Sequence, residues 1–341
     1  MRQRKVRKQL IEKLLFPRPK NITIRILPMP AAWWEFLTRT NFPTKKIIKE
    51  PLDIFYAPYA SGIPRNGFSK MVFTCHDLVF LRYPEHRGRS LSNYYLLRHQ
   101  IASERAKFII VPSQSTKNDL VKFLPIPPQK IIVIPEAADQ RFKIISNQKT
   151  VSRIIGKYFD PRLKYILSVG TLEPRKNLPR LVEAFGGLPN AILKKYRLVL
   201  VGGEGWRNQT LKKTIANLNL KEKVILPGFV SDEDLPYIYN QATIFVYPSL
   251  YEGFGLPPLE AMACGVPVIS SRISSLPEVV GRGGMLINPE NEEEIRQAIK
   301  KLILKPGLRN KIAKAGLLQA KKFSWKKTAK ATLKVFEDAL G

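Results

Sequence analysis

Two glutamates around a glycine-rich turn are the residues of this chain best suited to binding a polar ligand. Glu252 and Glu260 stand eight residues apart in "YEGFGLPPLEAMACG", with Gly253 and Gly255 between them. Glycines let backbone N–H groups approach a ligand closely, and a helix that begins at the prolines would present more N–H groups to an anion. Carboxylates accept hydrogen bonds from hydroxyls. The stretch predicts a site for a ligand with hydroxyls and phosphate; the alternative is a helix-capping Glu252 and a surface Glu260.

A second loop carries two adjacent positive charges. Arg175 and Lys176 follow the apolar run "YILSVG" and precede Asn177, which we expect to cap the next helix. A buried arginine–lysine pair without a negative partner is unfavourable, so we expect a diphosphate there; a solvated basic loop is the alternative. Gly203, in "LVLVGGEGW", is a further candidate for backbone contact, although its glycines lack the spacing of a dinucleotide-binding fingerprint.

Short β-branched runs alternate with helical patterns, which predicts an α/β fold of two doubly wound parallel sheets. The expected strands of the first half are "NITIRIL", "LDIFYAP", "KMVFTC", "KFIIVP" and "KIIVIP". Those of the second half are "KYILSVG", "YRLVLVGG", "KVILPG", "ATIFVYPS", "VPVISS" and "GMLINP". We place a first domain at 1–150, a second at 160–323 and, at 324–341, a helix that crosses back to the first domain. A polar stretch at 144–160 marks the boundary, and a ligand is expected in the cleft at the carboxyl ends of the strands.

The charge of the chain is far from balanced. With 57 basic and 27 acidic residues, its formal charge is +30, which favours a polyanion: nucleic acid, an anionic membrane face or a phosphorylated substrate. A lysine-rich surface without a specific partner is the alternative. None of the usual nucleic-acid-binding signatures is present, so nucleic acid is not expected. Cys75 and Cys264 lie far apart in apolar runs, which indicates buried thiols rather than a disulfide or metal site.

The chain resembles a known family over roughly residues 20–340, most densely from 165 to 275. The segments "VGTLEPRKN", "LPGFVSDEDLPYIYNQATIFVYPSLYEGFGLPPLEAMACGVPVISS" and "FSWKKTA" are similar to those of the family-4 retaining glycosyltransferases with the two-Rossmann-domain (GT-B) fold. The similarity is to the mannosyltransferase-like branch of polysaccharide and lipopolysaccharide synthesis. It implies transfer of a hexose, mannose for preference, from a nucleoside diphosphate sugar to a glycan or lipid-linked acceptor. GDP-mannose is the favoured donor, and neither a metal nor another cofactor is expected.

The resemblance also implies roles for single residues. Glu252 would face the donor sugar, Glu260 the ribose hydroxyls, and Arg175 and Lys176 the diphosphate, while His76, after the strand "MVFTC", would lie near the donor sugar. Backbone contacts to the sugar and phosphate would come from Gly253, Phe254, Gly255 and Leu256, and the base pocket would be lined by Phe229 and Val230. We expect alanine at Glu252 or Lys176 to abolish transfer and leave the fold intact.

The start of the chain departs from the family pattern. It opens with "MRQRKVRKQLIEKLLF", a basic stretch that could form an amphipathic helix on a membrane or a plain surface helix. By residue 22 it reaches a strand that relatives place some sixty residues later. We therefore expect the first domain to lack its first strand and glycine-rich loop, through a late reading-frame start or completion by a partner.

These features leave three functions open. The first is a glycosyltransferase bound peripherally to the anionic cytoplasmic face of a membrane, where a lipid-linked acceptor would lie. The second is a sugar-nucleotide epimerase of the same fold. The third is an inactive nucleotide-sugar-binding or membrane-associated partner protein.

Overall fold

A computed structural model of the chain describes residues 30–341, except 41, 43–46, 49, 50, 62, 65–67, 69, 85–88, 204 and 206–208. The predicted strand "NITIRIL" and the basic N-terminal helix lie outside the described residues. Within these bounds the strands form two separate parallel sheets, one in each half of the chain. The predicted α/β architecture of two parallel-sheet domains is confirmed.

Among the described residues the first sheet has four strands in the order β1-β2-β3-β4, all parallel. Its strands are Phe55–Ala57 (β1), Met71–Thr74 (β2), Phe108–Val111 (β3) and Ile131–Val133 (β4). The helices of this half are Ala31–Arg39 (α1), Val79–Arg82 (α2), Arg89–Arg105 (α3) and Gln114–Phe123 (α4). All four residues of β2 are buried, as expected for a parallel strand that is covered on both faces.

The second sheet has six parallel strands in the order β10-β9-β8-β5-β6-β7. They are Lys164–Val169 (β5), Tyr196–Val201 (β6), Val224–Gly228 (β7), Ile244–Tyr247 (β8), Val268–Ser271 (β9) and Gly284–Ile287 (β10). The strand order reverses between β5 and β8, and ligands of doubly wound sheets bind at the carboxyl ends of the strands at such a switch point. The loops after β5 and β8 are those that carry Lys176 and Glu252.

Helices cover both faces of this second sheet. They are Gln148–Ile155 (α5), Leu178–Gly186 (α6), Asn190–Lys195 (α7), Gln209–Asn217 (α8), Leu235–Gln241 (α9), Leu256–Ala263 (α10), Leu276–Val280 (α11), Glu292–Leu304 (α12) and Pro306–Ala320 (α13). Neighbouring residues of β5 point to opposite faces. Ile166 packs with Phe185 of α6 on one face, whereas Tyr165 and Leu167 pack with Leu259 of α10 on the other.

The polar stretch at 144–160 is not an irregular linker, because α5 lies within it. Asn147 caps this helix by accepting a hydrogen bond from the Thr150 amide. Val151 and Ile155 are fully buried in the same cluster as Tyr165. The boundary segment is therefore packed on the second domain, while its polar residues face outward.

A last helix, Trp325–Leu340 (α14), joins the two halves. Ser324 caps its first turn, and its buried residues Val335 and Ala339 pack against Val72 of β2 and Ile110 of β3. The sheet of the first domain thus receives part of its cover from residues that follow the second domain.

Two further features concern cysteines and membrane spans. Cys75 and Cys264 are buried free thiols, as their apolar surroundings predicted. None of the described helices combines the length and the hydrophobicity that crossing a bilayer requires.

Candidate active site

The loop after β5 is shaped to bury the side chain of Lys176. Gly170 ends the strand at φ +148°, and a Cβ at this position would lie 3.3 Å from Lys176 Cε, so glycine leaves room for the lysine chain. Asn177 has a left-handed backbone (φ 58°) and makes no side-chain cap, which corrects the predicted capping role. Its amide instead donates to the carbonyls of Pro248 and Pro289, at 3.2 and 2.6 Å. Asn177 therefore ties this loop to the loops after β8 and β10.

The loop after β8 holds the backbone of Glu252 from both sides. The Glu252 amide donates to Ser274 Oγ at 3.1 Å, and the Glu252 carbonyl accepts from Ser274 Oγ at 2.6 Å and Ser275 Oγ at 2.9 Å. Both serines come from the loop between β9 and α11. These bonds aim the carboxylate back toward β5.

The two loops meet in a buried ionic cluster. Glu252 Oε1 accepts from Lys176 Nζ at 2.6 Å, from Tyr247 Oη at 2.8 Å and from Ser249 Oγ at 2.7 Å. Glu252 Oε2 accepts from Arg175 Nη1 at 2.6 Å. Lys176 Nζ also donates to Tyr247 Oη at 2.5 Å. Lys176 and Glu252 are only 7% and 8% exposed, so the ion pair between them is closed to bulk water.

Arg175 extends the cluster to a second carboxylate. Its Nε lies 2.5 Å from Glu173 Oε1, and its Nη1 also donates to the Tyr251 carbonyl at 3.0 Å. Two cations and two carboxylates cancel, so Arg175 and Lys176 already have negative partners within the chain. Within the described part of the chain, these contacts use Nε and Nη1 of Arg175.

Charge and burial act in opposite directions on Glu252. Burial alone would raise its pKa, but the positive charges of Lys176 and Arg175 and the hydrogen bonds from Lys176 and Ser249 lower the pKa to about 2. Burial lowers the pKa of Lys176, against the attraction of Glu252. The carboxylate is therefore ionised throughout the neutral range and holds both cations in place.

Glu260 has the opposite environment. Its Oε2 accepts from Tyr239 Oη at 2.9 Å. Burial, together with the negative charges of Asp232 and Asp139, raises its pKa to about 7 despite that hydrogen bond. The two glutamates of one motif thus lie in separate networks, one held ionised and one poised to take up a proton.

The glycines between these glutamates are required by packing within the chain. A Cβ at Gly253 would collide with the carbonyl oxygen of His76 in the first domain. Gly255 has φ +124°, and a Cβ there would lie 2.8 Å from Leu276 Cδ2. Phe254 is buried, with its ring edge-on to Phe323. The nearest neighbours of the turn are therefore protein atoms, where we had expected the glycines to admit a ligand.

His76 stands across the cleft from this turn. Its Nδ1 lies 3.0 Å from Glu136 Oε1 and its Nε2 3.1 Å from the Pro58 carbonyl oxygen. Both partners are acceptors, and the hydrogen bond to Glu136 raises the pKa of His76. His76 follows the carboxyl end of β2, and its backbone carbonyl lies beside Gly253.

The other candidate residues are spread around the same sheet edge. Phe229, after β7, is 74% exposed, whereas the neighbouring Val230 is 4% exposed and packs in the core. Only Phe229 of this pair can offer its side chain to a base. Among the described residues, no atom lies within 4 Å of a Cβ placed at Gly203. Leu256 begins α10 and is half-buried.

Sequence reasoning missed several residues that hold the cluster. Tyr247 and Ser249 donate to Glu252, Ser274 fixes its backbone, and Glu136 pairs with His76. The available signal was the polar end of the strand "IFVYPS", where tyrosine and serine interrupt an apolar run. Over the described residues, no group of three or more His, Cys, Asp or Glu side chains is placed to hold a metal ion.

Comparison with known proteins identifies relatives for both halves of the chain. The family described as "Glycosyl transferases group 1" matches residues 154–319, and "Glycosyltransferase Family 4" matches residues 7–142. The O-antigen chain mannosyltransferase B of Escherichia coli is 33% identical over 283 residues, which cover 83% of this chain and 72% of that protein. The serotype-specific mannosyltransferase WbdA of Escherichia coli is 32% identical over 82% of this chain. This chain covers 35% of WbdA, about a third of its length.

A solved structure shares the fold. HepE of Anabaena, in complex with UDP-glucose, matches with a TM-score of 0.72 at 21% identity. The match covers 84% of this chain and 79% of HepE. At that identity the likeness concerns the arrangement of the two parallel-sheet domains.

The burial of the cluster changes the expected effect of its mutation. We predict that Glu252→Gln lowers the free energy of unfolding by about 3–5 kcal/mol at pH 7, because two buried cations lose their counter-charge. This contradicts our sequence-based expectation of an intact fold for Glu252→Ala. The change is measured by urea denaturation, with Glu294→Gln as control. Glu294 pairs with Arg272 at 2.9 Å on the exposed surface, so we expect its loss to cost less than about 1 kcal/mol.

The pH dependence provides the second part of this test. The folded pKa of Glu252, about 2, lies below the ordinary value, so its stabilisation is complete above about pH 4.5 and is lost as the pH falls toward 2. Glu252→Gln should lack this loss. If Glu252→Gln were as stable at pH 7 as the control Glu294→Gln, the Glu252 carboxylate would not balance the buried cations.

Proposed function

The chain belongs to glycosyltransferase family 4 and is a hexosyltransferase, and on that premise we propose that it transfers mannose from a nucleoside diphosphate sugar to a glycan or lipid-linked acceptor, with retention of configuration. GDP-mannose is the proposed donor. The mannosyltransferase relatives support the choice of sugar. Neither the epimerase nor the inactive binding protein is supported by these relatives.

The observation that carries the proposal is the ionic cluster at the switch point of the second sheet. Transfer breaks the bond between the anomeric carbon and the diphosphate oxygen, so negative charge develops on the leaving group. Preorganised cations stabilise such charge most strongly where water is excluded. Arg175 and Lys176 are held in place by Glu252 before any ligand arrives, and Arg175 Nη2 is the group proposed to contact the diphosphate.

The remaining site residues position the donor and take no part in proton transfer. The acceptor oxygen forms its bond to the anomeric carbon on the face that the diphosphate leaves, and the leaving phosphate oxygen takes the acceptor's proton. No strong protein base is needed for this step. The His76 ring, held by Glu136 and the Pro58 carbonyl, is proposed to border the donor sugar, and Phe229 to cover the base.

One experiment tests the donor. We expect GDP and GDP-mannose at 100 times their dissociation constant to stabilise the chain by about 2.7 kcal/mol in thermal-shift measurements that include the UDP and ADP counterparts. Arg175→Lys keeps the charge beside Glu252 but loses the guanidinium fork, so transfer from GDP-mannose should fall about 100-fold. Arg162→Lys, at a fully exposed arginine, should transfer at the wild-type rate. A cooperative melt that no nucleotide shifts would refute the proposed site.

The raised pKa of Glu260 predicts a pH-dependent donor affinity. With a pKa of about 7, about a tenth of Glu260 is ionised at pH 6 and about nine tenths at pH 8. If the carboxylate binds the ribose hydroxyls, the dissociation constant for GDP-mannose should rise about tenfold from pH 8 to pH 6. Calorimetry of Glu260→Gln should show a flat profile. A slope that persists in this variant would assign the titration to another group, such as His76.

The acceptor side of the proposal is an anionic membrane surface that presents the lipid-linked glycan. Trp33 and Phe36 are 63% and 62% exposed, one turn apart on α1 of the first domain. Glu35, between them, turns inward and accepts from Tyr94 Oη of α3 at 2.8 Å. Aromatic side chains beside a polycationic protein favour the interface of an anionic bilayer.

Vesicle binding tests this surface. We expect the double variant Trp33→Ala/Phe36→Ala to bind vesicles containing phosphatidylserine about tenfold more weakly, a loss of about 1.4 kcal/mol. The control is Leu318→Ala/Trp325→Ala, at residues that are 67% and 48% exposed on α13 and α14. Equal binding by both double variants would exclude α1 as the membrane-facing element.

A further inference from the structure

The N-terminal end of helix α4, in the first domain, is hydrogen-bonded to the loop that carries Glu252. Ser113 Oγ donates to the Gly253 carbonyl at 2.6 Å, and Thr116 Oγ1 donates to the same oxygen at 3.1 Å. Both side chains are 1% exposed. Gly253 follows Glu252 directly, so its carbonyl fixes one flank of the buried carboxylate from the other domain.

The opposite flank of Glu252 is held by Tyr251. Its hydroxyl donates to Asp119 Oδ2 of α4 at 2.8 Å and accepts from the Leu78 amide at 3.2 Å. The carbonyl of the same residue accepts from Arg175 Nη1. Tyr251 thus connects a carboxylate of the first domain to a cation of the cluster through a single residue.

A third contact lies beside the loop. Glu278 of α11 accepts from the backbone amides of Gln114 and Ser115, each at 2.8 Å. These are the first two amides of α4, where the helix dipole favours a negative charge. Glu278 of the second domain therefore binds the same end of α4 that is hydrogen-bonded to the Gly253 carbonyl.

From these contacts we infer that Tyr251 and Glu278 are positioning residues, which hold the first domain and its His76 against the Glu252 loop through α4. The inference rests on the proposed transfer reaction for its kinetic consequence. We call Tyr251 and Glu278 the clamp residues. The proposed donor-binding groups Arg175, Lys176 and Glu260 all lie in the second domain, so nucleotide binding should depend on the clamp residues far less than transfer does. Closure also brings the His76 carbonyl against Gly253, which requires that residue to lack a side chain.

The test compares two variants with matched controls. Tyr251→Phe removes only the hydroxyl that crosses the cleft, and Tyr165→Phe removes a buried hydroxyl that donates within the second domain, to the Ile238 carbonyl at 2.7 Å. Glu278→Gln weakens the contact with α4, and Glu294→Gln makes the same change at a surface pair. We expect the turnover number with GDP-mannose to fall about tenfold in each clamp variant and less than twofold in each control. The thermal shift caused by GDP should be unchanged.

A second readout needs no substrate. Gln100→Cys and Lys194→Cys place spin labels on exposed helical positions of the first and second domains. The native Cys75 and Cys264 are buried and should escape labelling. Double electron–electron resonance then measures the distance between the two labels, and so the separation of the domains. The clamp variants should lengthen and broaden the distance distribution, whereas the controls should keep that of the wild type. A chain without transferase activity would still show this change, so failure of the proposed function and failure of the clamp can be told apart. An unchanged distribution in Tyr251→Phe and Glu278→Gln, or an equal loss of turnover in the controls, would overturn the inference.

Discussion

The buried carboxylate of Glu252 is the interaction on which the site depends. Lysine and arginine side chains cannot be held away from water without a counter-charge, and Glu252 supplies it to both Lys176 and Arg175 at 2.6 Å. Much of the surrounding sequence serves this one group. Gly170 makes space for the lysine chain, Ser274 holds the glutamate backbone, and Tyr247 fills the remaining hydrogen-bonding position between the two charges. Each of these residues is needed because an unsatisfied partner at this depth is unfavourable.

Such a cluster makes the cleft electrically balanced before a ligand binds. A bare cationic pair would attract phosphate and any other anion with little selectivity. With Glu173 and Glu252 in place, the net charge is zero, and an anion has to match the remaining donors in position. We therefore connect the carboxylates of the cluster with selectivity as much as with stability. Glu260, whose pKa is raised to about 7 by burial, adds a carboxyl group with different chemistry at the same sheet edge.

The fold was accessible from the sequence, whereas the contacts of the site were only partly so. β-Branched runs such as "KYILSV" become strands because their side chains must be covered on both faces, and each predicted strand that lies in the described part of the chain forms. Asn177 misled us because asparagine suits both a helix cap and a left-handed turn, and local sequence does not choose between them. The pairing of Arg175 with Glu252, and the collision that requires glycine at 253, arise from residues 77 and 177 positions apart. No local pattern encodes such distances.

The position of α14 has a consequence for folding during synthesis. Val72 and Ile110 are strand residues of the first half, yet they are covered by Val335 and Ala339. During synthesis the ribosome releases these strands long before residues 325–340 leave its exit tunnel. The first domain must wait with an apolar face uncovered while the whole second domain is made, which exposes it to aggregation or to chaperones. Completion of the early half of the chain is thus tied to the emergence of its late residues, and the two domains mature together rather than in order.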